Sequence, residues 1–350
     1  MRQFIKEVGR GKEGARDLSF EDALEAARLI ADGSSSPAQT AAFLMAVRVK
    51  GEAPSEIAAF AQVLGERCER ISPPEEMLAT LLDCAGPHDG RKGFAATLPV
   101  AVLCASAGLP SVLHASPTLP PKSGASLEDI LKAAGHQSAA TPAELRDELL
   151  GRALAYCPAE ALCPPLAQLR RLREEIGVRT LINTAEKLIN PAGARRLLVG
   201  VNHASAMQRL GSMPLAPGLE KLVVVQGLDG SEDLPVHKAS TALVLAKGKR
   251  KRTLAMDPFS LGLGGEGRRD YAPLEQAGLI ERILSGEEHP SLRDERHLVL
   301  YNTAFRLWIF GGRASMNEGL QEAFDLLKSG KSLTRWLRWL RQRGEVAQAA

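Results

Sequence analysis

Apolar positions along the chain recur with two different periods. Up to about residue 70 the spacing is helical. Phe20, Ala23, Leu24, Ala27 and Ile30 form one stripe behind a Ser19-x-x-Asp22 capping box, Ser36-Pro37 opens a second helix that Lys50-Gly51 closes, and Ile57, Phe60, Ala61 and Leu64 mark a third. Three small alanine-rich helices bury little alone and need the rest of the chain or a second copy. Ser72-Pro73-Pro74 then reads as a linker. Beyond it, strand-length apolar runs at Thr80–Cys84, Val112-Leu113, Ala155–Cys157, Leu197–Val201 and Leu222–Val225 alternate with helical segments such as Leu98–Ala107, Ala143–Leu154 and the helix opened by Pro164-Pro165. Runs as continuous as the last two suit a sheet covered on both faces. The pattern predicts an α/β fold.

The stretch from Leu81 to Gly135 carries the first candidate chemistry. Its opening strand empties into Cys84-Ala85-Gly86-Pro87-His88-Asp89-Gly90-Arg91-Lys92, a helix follows that Gly108 closes, and a second helix starts at the capping box Ser126-Leu127-Glu128-Asp129. Strand, loop and helix in that order make the layout of an anion site. With parallel neighbouring strands, His88, Asp89, Arg91, His114 and Lys122 face one crevice beyond the carboxyl ends. Later, Leu222–Val225 runs into Gly227–Asp233. Glu232-Asp233 is a reasonable anchor for Mg²⁺, which takes one or two carboxylates together with substrate phosphate oxygens; a loop carrying surface acids is the alternative.

Composition narrows the classes. At 45% hydrophobic and 24% charged the chain is an ordinary soluble globular one. No apolar run reaches the roughly 18 residues of a membrane span, and the N-terminus lacks an apolar signal region, so we expect no membrane partner and a cytoplasmic location. The five cysteines are odd in number and without Cys-x-x-Cys spacing, which indicates buried thiols rather than a disulfide framework or a zinc site. The seven histidines show no metal-ligand spacing, and neither a Gly-x-Ser-x-Gly nor a Walker loop occurs. No catalytic residue is assigned.

The order of signals resembles the anthranilate phosphoribosyltransferase family (glycosyltransferase family 3, nucleoside phosphorylase-like fold) over nearly the whole chain. Gln39 and Arg48-Val49-Lys50-Gly51-Glu52, Gly177–Asn183 with Asn190-Pro191, Gly227–Asp233, and Tyr301-Asn302-Thr303-Ala304 are similar to its successive signatures. The resemblance implies a helical domain over 1–72 with a returning helical segment near 162–180, and an α/β domain over 75–350 with a central, mostly parallel sheet flanked by helices. It implies a homodimer through the helical domain, phosphoribosyl pyrophosphate or another phosphate ligand, and Mg²⁺ if that ligand or transferase activity is retained. Equivalents of the phosphoribosyl pyrophosphate loop are Gly86, His88, Asp89, Thr97, His114 and Lys122. Arg170 or Arg171 matches the arginine that holds the acceptor carboxylate.

The departures fall at the chemistry. The family's Gly-Thr-Gly-Gly-Asp loop reads Gly86-Pro87-His88-Asp89, one residue shorter and with Pro87 removing a donor; Asn-Ile-Ser-Thr reads Ala95-Ala96-Thr97-Leu98; Lys-His-Gly-Asn reads Leu113-His114-Ala115-Ser116. This pattern is similar to a divergent branch that binds nucleic acid. The net charge of +3 says little, but basic residues cluster at Arg91-Lys92, at Arg173 with its neighbours, at Lys247, Lys249, Arg250, Lys251 and Arg252 on an expected β-hairpin tip, at Arg268-Arg269, and at Arg335, Arg338, Arg341 and Arg343. Trp339, off the apolar stripe of Leu333, Trp336, Leu337 and Leu340, is a candidate to stack a base. Three readings follow: a nonspecific binder of single-stranded nucleic acid, a Mg²⁺-dependent phosphoribosyltransferase acting on anthranilate or a related small aromatic acceptor, and a regulatory protein that binds an anion in the crevice.

Overall fold

The two periods resolve into a helical bundle against one face of a seven-stranded sheet in the computed structural model, whose described residues are 1–11, 13–267 and 269–341. The bundle is α1 (Arg2–Val8), α2 (Phe20–Ala31), α3 (Pro37–Lys50) and α4 (Pro54–Glu66). Periodicity predicts three of these. It misses α1, a short helix that buries only Phe4 and Val8. Ser19 Oγ accepts from the Asp22 amide, and Ser36 and Gln39 cap each other reciprocally, so two of the starts are fixed by local chemistry.

The α/β part runs α5 (Glu75–Leu78), β1 (Leu82–Ala85), α6 (Thr97–Ser106), β2 (Ser111–Ala115), α7 (Leu127–Ala133), α8 (Pro142–Arg152), β3 (Leu154–Pro158), α9 (Ala159–Leu162), α10 (Pro164–Ile176), α11 (Ile182–Ala185), β4 (Arg196–Val201), α12 (Ala204–Gly211), β5 (Lys221–Gln226), β6 (Ser240–Ala246) and β7 (Arg252–Met256). Four helices close it: α13 (Pro273–Leu284), α14 (Arg293–Ile309), α15 (Met316–Lys328) and α16 (Lys331–Leu340). Strand order is β3-β2-β1-β4-β5-β6-β7; the first five are parallel, and β6 and β7 are antiparallel additions.

Alternation along the strands assigns the faces. Leu82, Cys84, Leu198 and Val223 pack into a core with α6, α14 and α16, while Leu197, Val199, Leu222 and Val224 share a core with the bundle. Helix α6 is buried at every position from Thr97 to Ala105 because α13, α14, α15 and α16 surround its outer side. Helices α10 and α11 pack on α3 and α4, adding Leu166, Leu169 and Ile182 to the bundle core. No described helix is long and apolar enough to cross a membrane.

Register locates the basic hairpin. Lys221 pairs with Ala246 and Val225 with Ala242, so the 247–251 tip lies at the amino end of β5, opposite the carboxyl ends of the parallel strands. Trp339 departs from the sequence reading: it is 1% exposed, tilted against the His136 ring, edge-on to Trp336, and its indole N–H donates to Glu148. It cannot stack a base. Arg268 and Arg343 lie outside the described residues.

Candidate functional site

Strand β1 has β2 on one side and β4 on the other, and β5 lies beyond β4. The chain therefore winds in opposite directions from the β1–β4 boundary, where crevices open at the carboxyl ends of parallel strands. Four loops meet there. The loop after β1 is held by an antiparallel bridge, with Arg91 and Ala125 exchanging amide–carbonyl bonds of 2.8 Å. Gly90 makes the close approach possible: it has φ +76, and a Cβ would stand 2.4 Å from the Gly124 oxygen.

Arg91 points inward rather than to solvent. Its Nη1 donates to Asp233 Oδ2 at 2.5 Å and its Nη2 to both Glu232 oxygens at 3.2 and 3.1 Å. Arg306, reaching down from α14, places Nη2 at 3.1 Å from Asp233 Oδ1 and 3.7 Å from Glu232 Oε1. Thr97, the first residue of α6, donates its amide to Asp233 at 3.0 Å and its hydroxyl to Glu232 and Asp233 at 2.5 and 2.9 Å. A helix N-terminus and two guanidinium groups thus surround the acidic pair. Burial opposes ionisation of Glu232, but Arg91 and Arg306 hold it at about 2.

Toward the mouth, Asp89 accepts from Arg179 Nε at 2.8 Å, with Arg179 Nη2 in ion-pair contact at 2.6 Å, and lies 3.4 Å from Lys122 Nζ. Lys122 also donates to the Gly90 and Asp229 carbonyls at 2.9 and 2.8 Å, tying the loop after β1 to the loop after β5. Lys187 donates to the Gly200 and Gly230 carbonyls at 2.8 and 3.0 Å. Burial lowers its amine to about 8, and Arg179 and Lys122 push the same way against the attraction of Asp89 and Glu232.

A second cluster lies under the bundle side. Arg173 holds Glu186 bidentately at 2.7 and 2.8 Å, and His88 Nδ1 lies 2.9 Å from Ser116 Oγ and 3.3 Å from Glu186 Oε2. Burial lowers the His88 pKa more than Glu186 raises it, so the neutral ring is favoured, and its one hydrogen-bonded partner at Nδ1 is the Ser116 hydroxyl. The His88 and His114 rings meet edge to face at 5.8 Å. His114 Nε2 lies 3.0 Å from Asp83 Oδ1, within ion-pair range yet outside hydrogen-bond geometry, and both groups are fully buried.

Of the residues singled out in the sequence, the structure gathers His88, Asp89, Arg91, Thr97, His114, Lys122, Arg173, Glu232 and Asp233 at this end of the sheet, with Gly86 against Arg91. Arg170 instead pairs with Glu160 and Glu174 and caps the Pro117 and Thr118 carbonyls, and Arg171 is exposed beside Glu175. Arg91 and Arg173, read as surface charge, are 3% and 4% exposed and offer none. Lys92 and Arg269 are exposed at the crevice end, whereas Lys247, Lys249, Arg250, Lys251 and Arg252 are exposed at or beside the hairpin tip, so the basic clusters do not share a face. The sequence reading missed Arg179, Glu186, Lys187 and Arg306. A lone arginine inside the apolar Leu298–Leu307 helix was the available signal for the last.

Family models supply the relation that geometry alone does not. The model described as glycosyl transferase family, a/b domain, matches residues 80–333, and the one for the helical bundle domain of the same family matches residues 2–68. The chain belongs to the glycosyl transferase family. Among curated family members it is 31% identical over 306 residues to the anthranilate phosphoribosyltransferase of Desulfitobacterium hafniense, covering 86% of this chain and 88% of that one. The Thermus thermophilus enzyme of that name superposes with a TM-score of 0.77 at 26% identity, covering 96% of this chain and 98% of the other. The Saccharomyces cerevisiae enzyme, solved with phosphoribosyl pyrophosphate and Mg, gives 0.81 at 20% identity over 97% and 96% of the two chains, a likeness of fold.

In this family member the residues do not fit a divalent cation at Glu232-Asp233. All four carboxylate oxygens already accept from Arg91, Arg306 or Thr97, and no group of three or more His, Cys, Asp or Glu able to hold a metal exists among the described residues.

Proposed function

We propose that the chain is a pentosyltransferase of this family, which takes a phosphorylated sugar such as phosphoribosyl pyrophosphate into the crevice and passes the pentosyl group to a small aromatic acceptor. The observation that carries this reading is the convergence of Asp89, Thr97, Lys122, Arg179 and Lys187 at the β1–β4 boundary, supported by a match to a transferase over 86% of the chain. In such a transfer the C1–oxygen bond to the diphosphate breaks, a bond from C1 to the acceptor nitrogen forms, and that nitrogen loses its proton. The protein contributes position and charge more than covalent chemistry. Lys122, Arg179 and Lys187 form the cationic rim that meets the phosphates. The three arginines of α10 are each paired with glutamate, so a carboxylate on the acceptor finds its guanidinium groups engaged.

Pyrophosphate release from phosphoribosyl pyrophosphate tests the proposal, with anthranilate and the uncharged 2-aminobenzamide as acceptors, each in Mg²⁺ and in EDTA. Turnover with either acceptor supports it. Neither turnover nor binding of phosphoribosyl pyrophosphate refutes it.

A further inference from the structure

We infer that Arg91 replaces the divalent cation at the Glu232-Asp233 pair, so that this chain carries no metal there and presents a guanidinium where an acidic pair would otherwise require one. Three observations converge. The pair and its two arginines, Arg91 and Arg306, are each no more than 3% exposed and balance in charge, two negative against two positive. A divalent ion entering beside them would leave two uncompensated positive charges in a buried cluster, which desolvation forbids. The coordination is also complete, since each of the four oxygens already accepts a donor, and Mg²⁺ keeps several of its waters whereas Glu232 and Asp233 are each 0% exposed.

The main chain of Arg91 is not free to withdraw. Its amide and carbonyl are both bonded to Ala125, and Gly124 packs so closely that a Cβ there would lie 2.4 Å from the Arg91 oxygen. The guanidinium is thus delivered by a pinned loop and not by a flexible tail. For function, a consequence that rests on the transferase reading, a sugar phosphate meets the cations of the crevice rim and its binding needs no divalent ion at the Glu232-Asp233 pair.

Mn²⁺ takes the oxygen donors that Mg²⁺ does, and its electron paramagnetic resonance signal falls when it binds protein. Titration into the wild-type chain is expected to leave the free-ion signal unchanged. Arg91→Ala is expected to bind Mn²⁺ at least about tenfold more tightly than wild type, as changes around a metal site do, and Arg91→Ala with Glu232→Gln is expected to lose that gain. Where the alanine variant does not fold, Arg91→Met, which fills the space and donates nothing to the pair, serves in its place. Saturable Mn²⁺ binding by the wild type that Glu232→Gln removes would overturn the inference, and so would a folded Arg91 variant that stays silent. No sugar phosphate or acceptor enters this readout, so it stands or falls apart from the transferase proposal.

Discussion

Replacing Glu186 by glutamine keeps the side-chain shape and removes one charge from a pair buried on both sides. Arg173 donates to this carboxylate at 2.7 and 2.8 Å, and His88 Nδ1 lies 3.3 Å away. Glu186 is 0% and Arg173 4% exposed, so the guanidinium left behind has no water to turn to. Breaking a buried pair from one side costs about 3–5 kcal/mol, and because the amide oxygen of glutamine still accepts one bond, we expect about 3 kcal/mol. Urea denaturation at pH 7 measures this as a shifted midpoint at unchanged slope. Acid provides a second handle. Burial alone would raise the Glu186 carboxyl above its ordinary 4.5, but Arg173 and then His88 outweigh burial and hold it well below. A depressed folded value means that the stabilisation is complete above about pH 5 and is lost as pH falls through the folded value. Glutamine does not titrate there. The gap between wild type and variant should therefore hold from pH 7 to about 5 and then narrow by about 1.4 kcal/mol per pH unit below the ordinary carboxyl value. A cost below about 1 kcal/mol at pH 7, or a gap that fails to narrow in acid, refutes the view that charge rather than shape holds this cluster.

Lys187 also titrates at a lowered value, but in the alkaline range. With its folded pKa lowered from 10.5 to about 8, the unfolded chain binds the extra proton between those values, so stability should rise with pH across that window in wild type and not in Lys187→Met, measured by denaturation at several pH values. Gly200→Ala places a Cβ 1.8 Å from the Ser231 carbonyl oxygen, which is main chain and cannot rotate away; we expect a loss of about 3 kcal/mol in denaturation and weaker ligand binding as the 228–233 loop shifts. Changing Lys249, Arg250, Lys251 and Arg252 together to alanine should leave the affinity for phosphoribosyl pyrophosphate within about 0.5 kcal/mol by calorimetry, because the tip is at the far end of the sheet.

The parallel strands were legible in the sequence because a strand buried on both faces must be apolar throughout, as Leu197–Val201 and Leu222–Val225 are. The crevice was legible because loops follow those strands. Partnership was not. Arg91 sits beside Lys92 and reads as one charged turn, yet its partner Asp233 is 142 residues away, and only the fold reveals that one of the two neighbours is buried and the other exposed. Glu186 and Lys187 likewise have partners, Arg173 and the Gly200 carbonyl, that no local pattern marks. Trp339 was misjudged because α16 packs on α6 and α13 with one flank and on α8 with another, so its buried arc is wider than a single stripe.

The most direct measurement is calorimetric titration of phosphoribosyl pyrophosphate in EDTA into the wild-type chain and into Arg179→Ala, the variant that removes the half-exposed guanidinium bonded to Asp89 at the crevice mouth. The proposed function, joined to the inference that Arg91 stands in place of the cation, predicts saturable binding by the wild type without a divalent ion, and binding weakened about tenfold or more in the variant, the roughly 1.4 kcal/mol or more expected of a lost charge-assisted contact. Equal affinity in the two proteins would contradict the placement of the ligand in this crevice, and no binding by the wild type would contradict its independence of a divalent ion.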